Sequence, residues 1–187
     1  MSGDLIVWNC FNLKDVTGIN DVHDHGSAGG IFGYVGPASG DYKTNVLKVE
    51  NSYNIGSVTA GGNAGGIGGV ARYQSVEFTY CYNISNSLDS NIDNGGILAH
   101  IGEEFIEVQH NISNCYNIDT SLFGTDETKK STVSNTGLIN TDGTFPNGTP
   151  YTDLLTALNA WVDANKATYP ELKNWVMGSN GYPTFAE

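Results

Sequence analysis

The residues of this chain best suited to chemistry sit in one short run, Asp21-Val22-His23-Asp24-His25. Two histidines at i and i+2 share one face of an extended strand, and flanking carboxylates can add oxygen ligands. His23, His25 and Asp24 are therefore the candidate metal ligands. A metal site needs three or four converging donors, and a single local segment supplies no second arm, so the run also reads as a polar loop. Acid–base cleavage of glycans asks instead for paired carboxylates, often with a cation alongside. Asp89, Asp93, Glu103, Glu104, Glu107 and Asp119 recur at no common spacing, and the one arginine is Arg72. Glu103 and Glu104 are adjacent, which in a strand sends them to opposite faces. There is no Gly-x-Ser-x-Gly elbow. Gly61-Gly62-Asn63-Ala64-Gly65-Gly66 lacks the Lys-Ser/Thr ending of a phosphate loop. Cys10, Cys81 and Cys115 are odd in number and far apart, unlike a disulfide framework or a zinc site. The sequence thus points to no catalytic residues and no cofactor.

Charge narrows the partners. The net charge of −12, from 20 acidic and 8 basic residues, gives no surface for neutralising phosphates. Nucleic acid and anionic membrane surfaces are therefore excluded as partners. No run approaches the ~18 apolar residues of a membrane span, so no membrane insertion is expected. Strand-like Leu5-Ile6-Val7-Trp8 follows Met1-Ser2-Gly3-Asp4 at once, without a signal peptide. The chain starts in mid-pattern, and the expectation is a piece of a longer exported protein.

That pattern is a repeat. Asn9-Cys10-Phe11-Asn12-Leu13 aligns with Asn51-Ser52-Tyr53-Asn54-Ile55, Tyr80-Cys81-Tyr82-Asn83-Ile84 and Asn114-Cys115-Tyr116-Asn117-Ile118. Val7, Val49, Phe78 and Ile112 stand three positions before each Cys or Ser. A second motif alternates with the first: Gly29-Gly30-Ile31-Phe32-Gly33, Gly65-Gly66-Ile67-Gly68-Gly69 and Gly95-Gly96-Ile97-Leu98-Ala99, with Thr136-Gly137-Leu138-Ile139 as a decayed fourth copy. After each glycine pair the apolar residues alternate with period two, which excludes helix. Paired glycines suit a corner that needs positive φ or close backbone approach. A coil of about thirty residues holds several short strands but cannot bury its apolar face alone. Stacked coils can, and like residues then form ladders ~4.8 Å apart. Asn tolerates left-handed turns and can bond along such a ladder. The aromatic position can face either way, because a bulge at the Asn would flip it. His100 falls in register with Tyr34 and Val70, and His110 precedes a coil start without an evident partner.

The C-terminal part differs in kind. Leu154, Leu155, Leu158, Trp161 and Val162 share one face of a helix over residues 152–165, with Thr152 as its N-cap. Trp175, Tyr182 and Phe185 follow. The expectation is a cap in which the helix, Trp161, Trp175, Tyr182 and Phe185 cover the last coil.

The alternation of Asn-Cys-Tyr-Asn with Gly-Gly-Ile-x-Gly resembles the GLUG-motif repeats of bacterial surface proteins. Gly30-Ile31-Phe32-Gly33 and Gly66-Ile67-Gly68-Gly69 match the Gly-Leu-any-Gly core with Ile for Leu, and Gly96-Ile97-Leu98-Ala99 departs at the last glycine. The ending around Leu154–Trp161, Trp175 and Gly181-Tyr182-Pro183 is similar to the segment that closes such arrays in gut bacteria. The resemblance implies a β-helix-like fold, a cell-surface or extracellular location, and a role as adhesin or stalk. GLUG repeats also accompany a protease domain in immunoglobulin-A-cleaving metallopeptidases, but this chain has no His-Glu-x-x-His and that activity does not carry over.

The expected fold is all-β, a repeat β-solenoid of the parallel β-helix kind with a short α-helical C-terminal cap. Residues 1–145 hold about four degenerate repeats and residues 146–187 the cap of the same domain. The expected function is a non-catalytic surface module, not an enzyme, with a host or bacterial surface glycan or protein as partner. The alternatives are a carbohydrate-binding module, with sugars stacked on a strip of exposed Tyr and Asn, and a degenerate glycan-active enzyme.

Overall fold

The computed structural model describes residues 4–19, 26–36, 46–72, 75–85, 87–101, 110–118, 131–134, 137–139 and 151–187. The first coil comprises β1 (Leu5–Trp8), β2 (Phe11–Asn12), β3 (Val16–Thr17), β4 (Ala28–Gly29) and β5 (Phe32–Val35). The second repeats the set as β6 (Val46–Glu50), β7 (Tyr53–Asn54), β8 (Val58–Ala60), β9 (Ala64–Gly65) and β10 (Gly68–Ala71). The third does so as β11 (Ser75–Thr79), β12 (Tyr82–Asn83), β13 (Leu88–Ser90), β14 (Asn94–Gly95) and β15 (Leu98–Ile101). Two further turns contribute β16 (His110–Ser113) with β17 (Tyr116–Ile118), then β18 (Ser131–Ser134) with β19 (Gly137–Ile139). Each strand pairs in parallel with its counterpart one coil away, giving sheets β1-β6-β11-β16-β18, β2-β7-β12-β17-β19, β3-β8-β13, β4-β9-β14 and β5-β10-β15. This is the expected solenoid. Cys81 and Cys115 occupy one rung position, between the register pairs Thr79↔Ser113 and Tyr82↔Tyr116.

The two motifs divide the work of making a coil. The first residue of the Asn-Cys-Tyr-Asn motif turns the corner: Asn9, Asn51, Tyr80 and Asn114 have φ of 52°, 48°, 52° and 52°. Asn accepts this left-handed conformation more readily than most residues. Tyr80 does not, and its compensation is a ring stacked 5.3 Å from Trp161. The second asparagine points inward and builds a ladder. Asn12 donates to Asn54, Asn54 to Asn83 and Asn83 to Asn117, each amide-to-amide bond being 2.8 Å. Asn54, Asn83 and Asn117 are fully buried, so each needs the partners its neighbours supply.

The glycine motif exists to admit that ladder. A Cβ on Gly30 would lie 2.4 Å from Cγ of Asn54, one on Gly66 2.3 Å from Cγ of Asn83, and one on Gly96 2.1 Å from Cγ of Asn117. In every case the asparagine belongs to the coil after the glycine. The second glycine is thus required by close approach. Positive φ is not the reason, because among the described residues only Gly181 among the glycines has it. The interior beyond the ladder is apolar: Leu47, Val49, Ile67, Phe78, Cys81, Ile97, Ile101 and Cys115 have no exposed surface.

One alignment is corrected here. Gly137-Leu138-Ile139 is not a fourth glycine motif, because β19 pairs with β17 in the register Tyr116↔Gly137, Asn117↔Leu138 and Ile118↔Ile139. Val133 pairs with Ile112, so Val133-Ser134-Asn135-Thr136-Gly137-Leu138-Ile139 is a fifth copy of the first motif, with Gly in the tyrosine position. A glycine before two aliphatic residues fits both motifs by eye, and strand pairing decides between them.

The C-terminal segment forms α1 (Leu154–Asn165) and an antiparallel hairpin of β20 (Trp175–Met177) with β21 (Pro183–Phe185). The N-cap of α1 is Asp153, one residue after the expected Thr152; its carboxylate accepts the Thr156 amide at 2.8 Å. A carboxylate fills that place well because it also faces the positive end of the helix dipole.

Candidate binding groove and the covered tyrosine face

The motif tyrosines point away from the coil interior, because Cys81 and Asn83 on either side of Tyr82 point into it. An outward column of aromatics results. Phe11 stacks on Tyr53 at 5.5 Å with rings 13° apart, and Tyr53 on Tyr82 at 5.0 Å and 6°. This column is not an accessible sugar platform. Tyr53, Tyr82 and Tyr116 are at most 1 % exposed, and they share a core with Leu154, Leu158, Trp161, Trp175 and Leu172 of the C-terminal segment.

The segment lies along the side of the solenoid, where an end cap over the last coil was expected. It meets the first coil through Trp8–Tyr169 and Phe11–Phe185 ring contacts and a bond from the Asn9 amide to the Glu171 carbonyl. It meets the second coil where the Trp175 indole donates to Asn51 at 2.6 Å and the Tyr53 hydroxyl bonds to Thr184 at 2.7 Å. It meets the third where Tyr82 donates to the Pro183 carbonyl and Tyr80 stacks on Trp161. Burial pushes the Tyr80, Tyr82 and Tyr116 hydroxyls above the ordinary phenol range, so they act as neutral hydrogen-bonding groups. The outward aromatic column explains the position: along the flank the segment takes Tyr53, Tyr82 and Tyr116 out of water together with its own Leu154, Leu158, Trp161 and Trp175.

A groove of about 230 Å³ lies open on the flank formed by β3, β8 and β13. Thr17, Thr59 and Asp89 stand in register across it, all exposed. Gly18, Ala60, Gly61, Ser90 and Asn91 complete its wall. The Asn91 amide is held on the Gly61 carbonyl at 3.1 Å and the Ser90 hydroxyl on the Asp93 carbonyl at 2.8 Å. Ile19 and Ile92, 65 % and 50 % exposed, lie on the coils either side of Gly61-Gly62. Hydroxyls, one carboxylate and flanking apolar surface at rung spacing can hydrogen-bond a polyhydroxylated ligand, while the Asp89 carboxylate repels an anion. Sequence reading missed this groove, although Val16-Thr17, Val58-Thr59 and Leu88-Asp89 repeat an aliphatic–polar pair a short way after each Asn-Cys/Ser motif.

His23, Asp24 and His25, as well as Glu103, Glu104, Glu107 and Asp119, lie outside the described residues. His100 takes its expected rung beside Val70, which pairs in turn with Tyr34. The Arg72 guanidinium lies over the Tyr34 ring at 5.7 Å. Among the described residues no group of three or more His, Cys, Asp or Glu is placed to hold a metal ion. None of their helices is long and apolar enough to cross a membrane. Burial raises the Cys81 thiol well above its usual value, helped by its hydrogen bond with Cys115. The cysteines are all free.

These features define a parallel β-solenoid held along one flank by its own C-terminal segment. Among solved structures it is similar to the crystal structure of a putative immunoglobulin A1 protease from Bacteroides ovatus, with a TM-score of 0.55 and 22% identity over 98% of this chain. The chain spans 58% of that protein's chain. At this identity the likeness establishes the fold. No family model and no curated protein matches the chain, so the resemblance to GLUG repeats rests on the motifs themselves.

Proposed function

We propose that the chain is a non-catalytic repeat module of a bacterial secreted or cell-surface protein, serving as an adhesin or stalk that mediates interaction. The observation that carries this reading is where the repeated residues go. The second motif Asn and the motif Cys/Ser and Gly residues sit inside the coils, and the motif tyrosines of the second, third and fourth coils lie beneath the C-terminal segment. Recurrence in this chain therefore serves scaffold building, and the variable flank positions are left for recognition. The surface location is supported by the likeness of the motifs to bacterial surface repeats. The neighbour is named for cleavage of immunoglobulin A1, and a scaffold of this fold is compatible with presenting such a protein's substrate.

A second reading, carbohydrate binding, is favoured by the in-register Thr17, Thr59 and Asp89. The test is an array of surface glycans and extracellular host proteins probed with the chain and with its Thr59→Val and Asp89→Ala variants. Specific retention of a protein with unchanged binding by both variants supports the adhesin reading. Retention of a glycan that both variants abolish selects the groove. Hydrolysis of immunoglobulin A1 or of any polysaccharide by the purified chain contradicts the non-catalytic reading.

A further inference from the structure

The first coil is an unfinished interface. Leu47, Val49 and Ala71 are completely buried, yet their register partners Leu5, Val7 and Val35 are only partly so. The backbone tells the same story with direction. Along the tyrosine sheet each coil donates amides to the coil before it: Tyr53 to the Cys10 carbonyl, Ile55 to Asn12, Tyr82 to Ser52, Ile84 to Asn54 and Tyr116 to Cys81, at 2.9–3.1 Å. Phe11 and Leu13 occupy those same positions in the first coil, and no acceptor among the described residues meets their amides. The asparagine ladder stops there too. Oδ1 of Asn54 accepts from the Gly56 amide and from Asn12, and Oδ1 of Asn83 from the Ser85 amide and from Asn54. Among the described residues, Oδ1 of Asn12 accepts only the local bond from Lys14. Above it, Phe11 stacks on Tyr53 and remains 54 % exposed.

We propose that the open face of the first coil is a docking surface for one further coil of this same repeat, running parallel and leading in line to Asp4. The argument is continuity with the interface between the first and second coils. The missing acceptor carbonyls, the missing ladder amide, the missing aromatic above Phe11 and the half-covered aliphatics are all supplied by one more Asn-Cys/Ser-Tyr-Asn motif followed by Gly-Gly-Ile, and a foreign strand would supply only the carbonyls. Such a coil would set its second glycine against Asn12, as Gly66 is set against Asn83. The inference deepens the stalk reading, which needs an end able to continue. It stands apart in its test, because a negative binding array leaves the stability of this face untouched.

The experiment fuses a copy of residues 46–74 directly ahead of Asp4 of the whole chain. Ser75 and Val46 share one rung position, and the Leu5↔Leu47 register puts Asp4 there as well, so the copy enters in register. Hydrogen exchange by NMR should slow at Phe11 and Leu13 by about tenfold or more as they gain acceptors, with a higher urea midpoint and an unchanged monomeric mass per chain. The same copy carrying Asn54→Leu and Gly66→Val should protect neither amide. Equal protection by both copies, or none by the intact one, overturns the proposal. A measurement on the unfused chain guards against a fusion that does not fold: Phe11 and Leu13 should exchange much faster than Tyr53, Ile55, Tyr82 and Ile84. Slow exchange there in the monomer shows a face already closed. Protection that rises with protein concentration shows that a second copy takes the face. Either result contradicts the in-line coil.

Discussion

Replacing Gly66 by alanine adds one methyl group at a crowded contact between coils. Its Cβ would lie 2.0 Å from the Gly96 carbonyl oxygen and 2.3 Å from Cγ of Asn83. Neither obstacle can retreat freely. The Gly96 backbone lies between two residues whose carbonyls accept from the coil before, Gly95 from the Gly66 amide at 2.9 Å and Ile97 from the Ile67 amide at 3.1 Å. Asn83 is fixed by ladder bonds on both sides, each contributing about 1 kcal/mol net. Overpacking a rigid site typically costs about 1–3 kcal/mol, and with both obstructing groups already committed the upper end applies, about 3 kcal/mol. At a urea slope of roughly 2 kcal/mol/M this moves the midpoint down by about 1.5 M. Gly181→Ala is the matched control, since nothing lies within 4 Å of its Cβ and its φ of +83° leaves only backbone strain, about 1 kcal/mol. Tryptophan fluorescence during urea unfolding reads both. If Gly66→Ala is no more destabilising than Gly181→Ala, the interlock between glycine and asparagine motifs is wrong.

Asn83→Leu keeps the volume but strips the Asn54 amide and the Ser85 N–H of a buried acceptor. Buried groups left unpaired cost about 1–3 kcal/mol each, so urea unfolding should show a loss of about 3 kcal/mol, well beyond that of Asn12→Leu at the ladder's open end. Cys81 and Cys115 should resist a maleimide in the folded chain and react in denaturant, because both are fully buried; labelling followed by peptide mass spectrometry decides, and rapid native labelling would contradict the ladder. Burial pushes the Asp153 carboxyl up, but hydrogen bonds from the Thr156 amide and hydroxyl and from Thr152 outweigh it, leaving the pKa below the usual value. The depressed value means that its contribution is full above the unfolded carboxylate range and is lost as pH falls through the lower folded one. Asp153→Ala should therefore destabilise by about 1 kcal/mol at neutral pH and converge with the parent in thermal melts as pH drops below about 4; a constant gap at every pH would contradict this.

The coil architecture was legible because recurrence at like spacing leaves few foldings open. Asn12, Asn54, Asn83 and Asn117 share one letter at one position, and only a ladder makes buried asparagines tolerable in strands. The same letters could not say that the tyrosines would be covered. That depends on Trp175 and Phe185, distant in sequence, finding the outward strip. The sequence of the C-terminal segment suggests an end cap for a related reason: its amphipathic helix shows that something apolar must be met, and nothing in its own periodicity says which surface. Thr152 and Asp153 are both good caps one residue apart, and local backbone geometry chose between them. The groove escaped notice because Thr17, Thr59 and Asp89 differ in type, so their shared rung emerges only from pairing.

The most direct measurement of the stacked-coil account is the distance between residues 17 and 89. Both are exposed, both pair with Thr59, and they therefore stand two rungs apart on one flank. Nitroxide labels on Thr17→Cys and Asp89→Cys, in a Cys10→Ser background, should show strong dipolar broadening, since two rungs separate the backbones by only about 10 Å. Labels reporting a separation of more than about 25 Å, beyond what two rungs and the label tethers can span, would contradict the register on which the ladder, the covered tyrosines and the open first coil all rest.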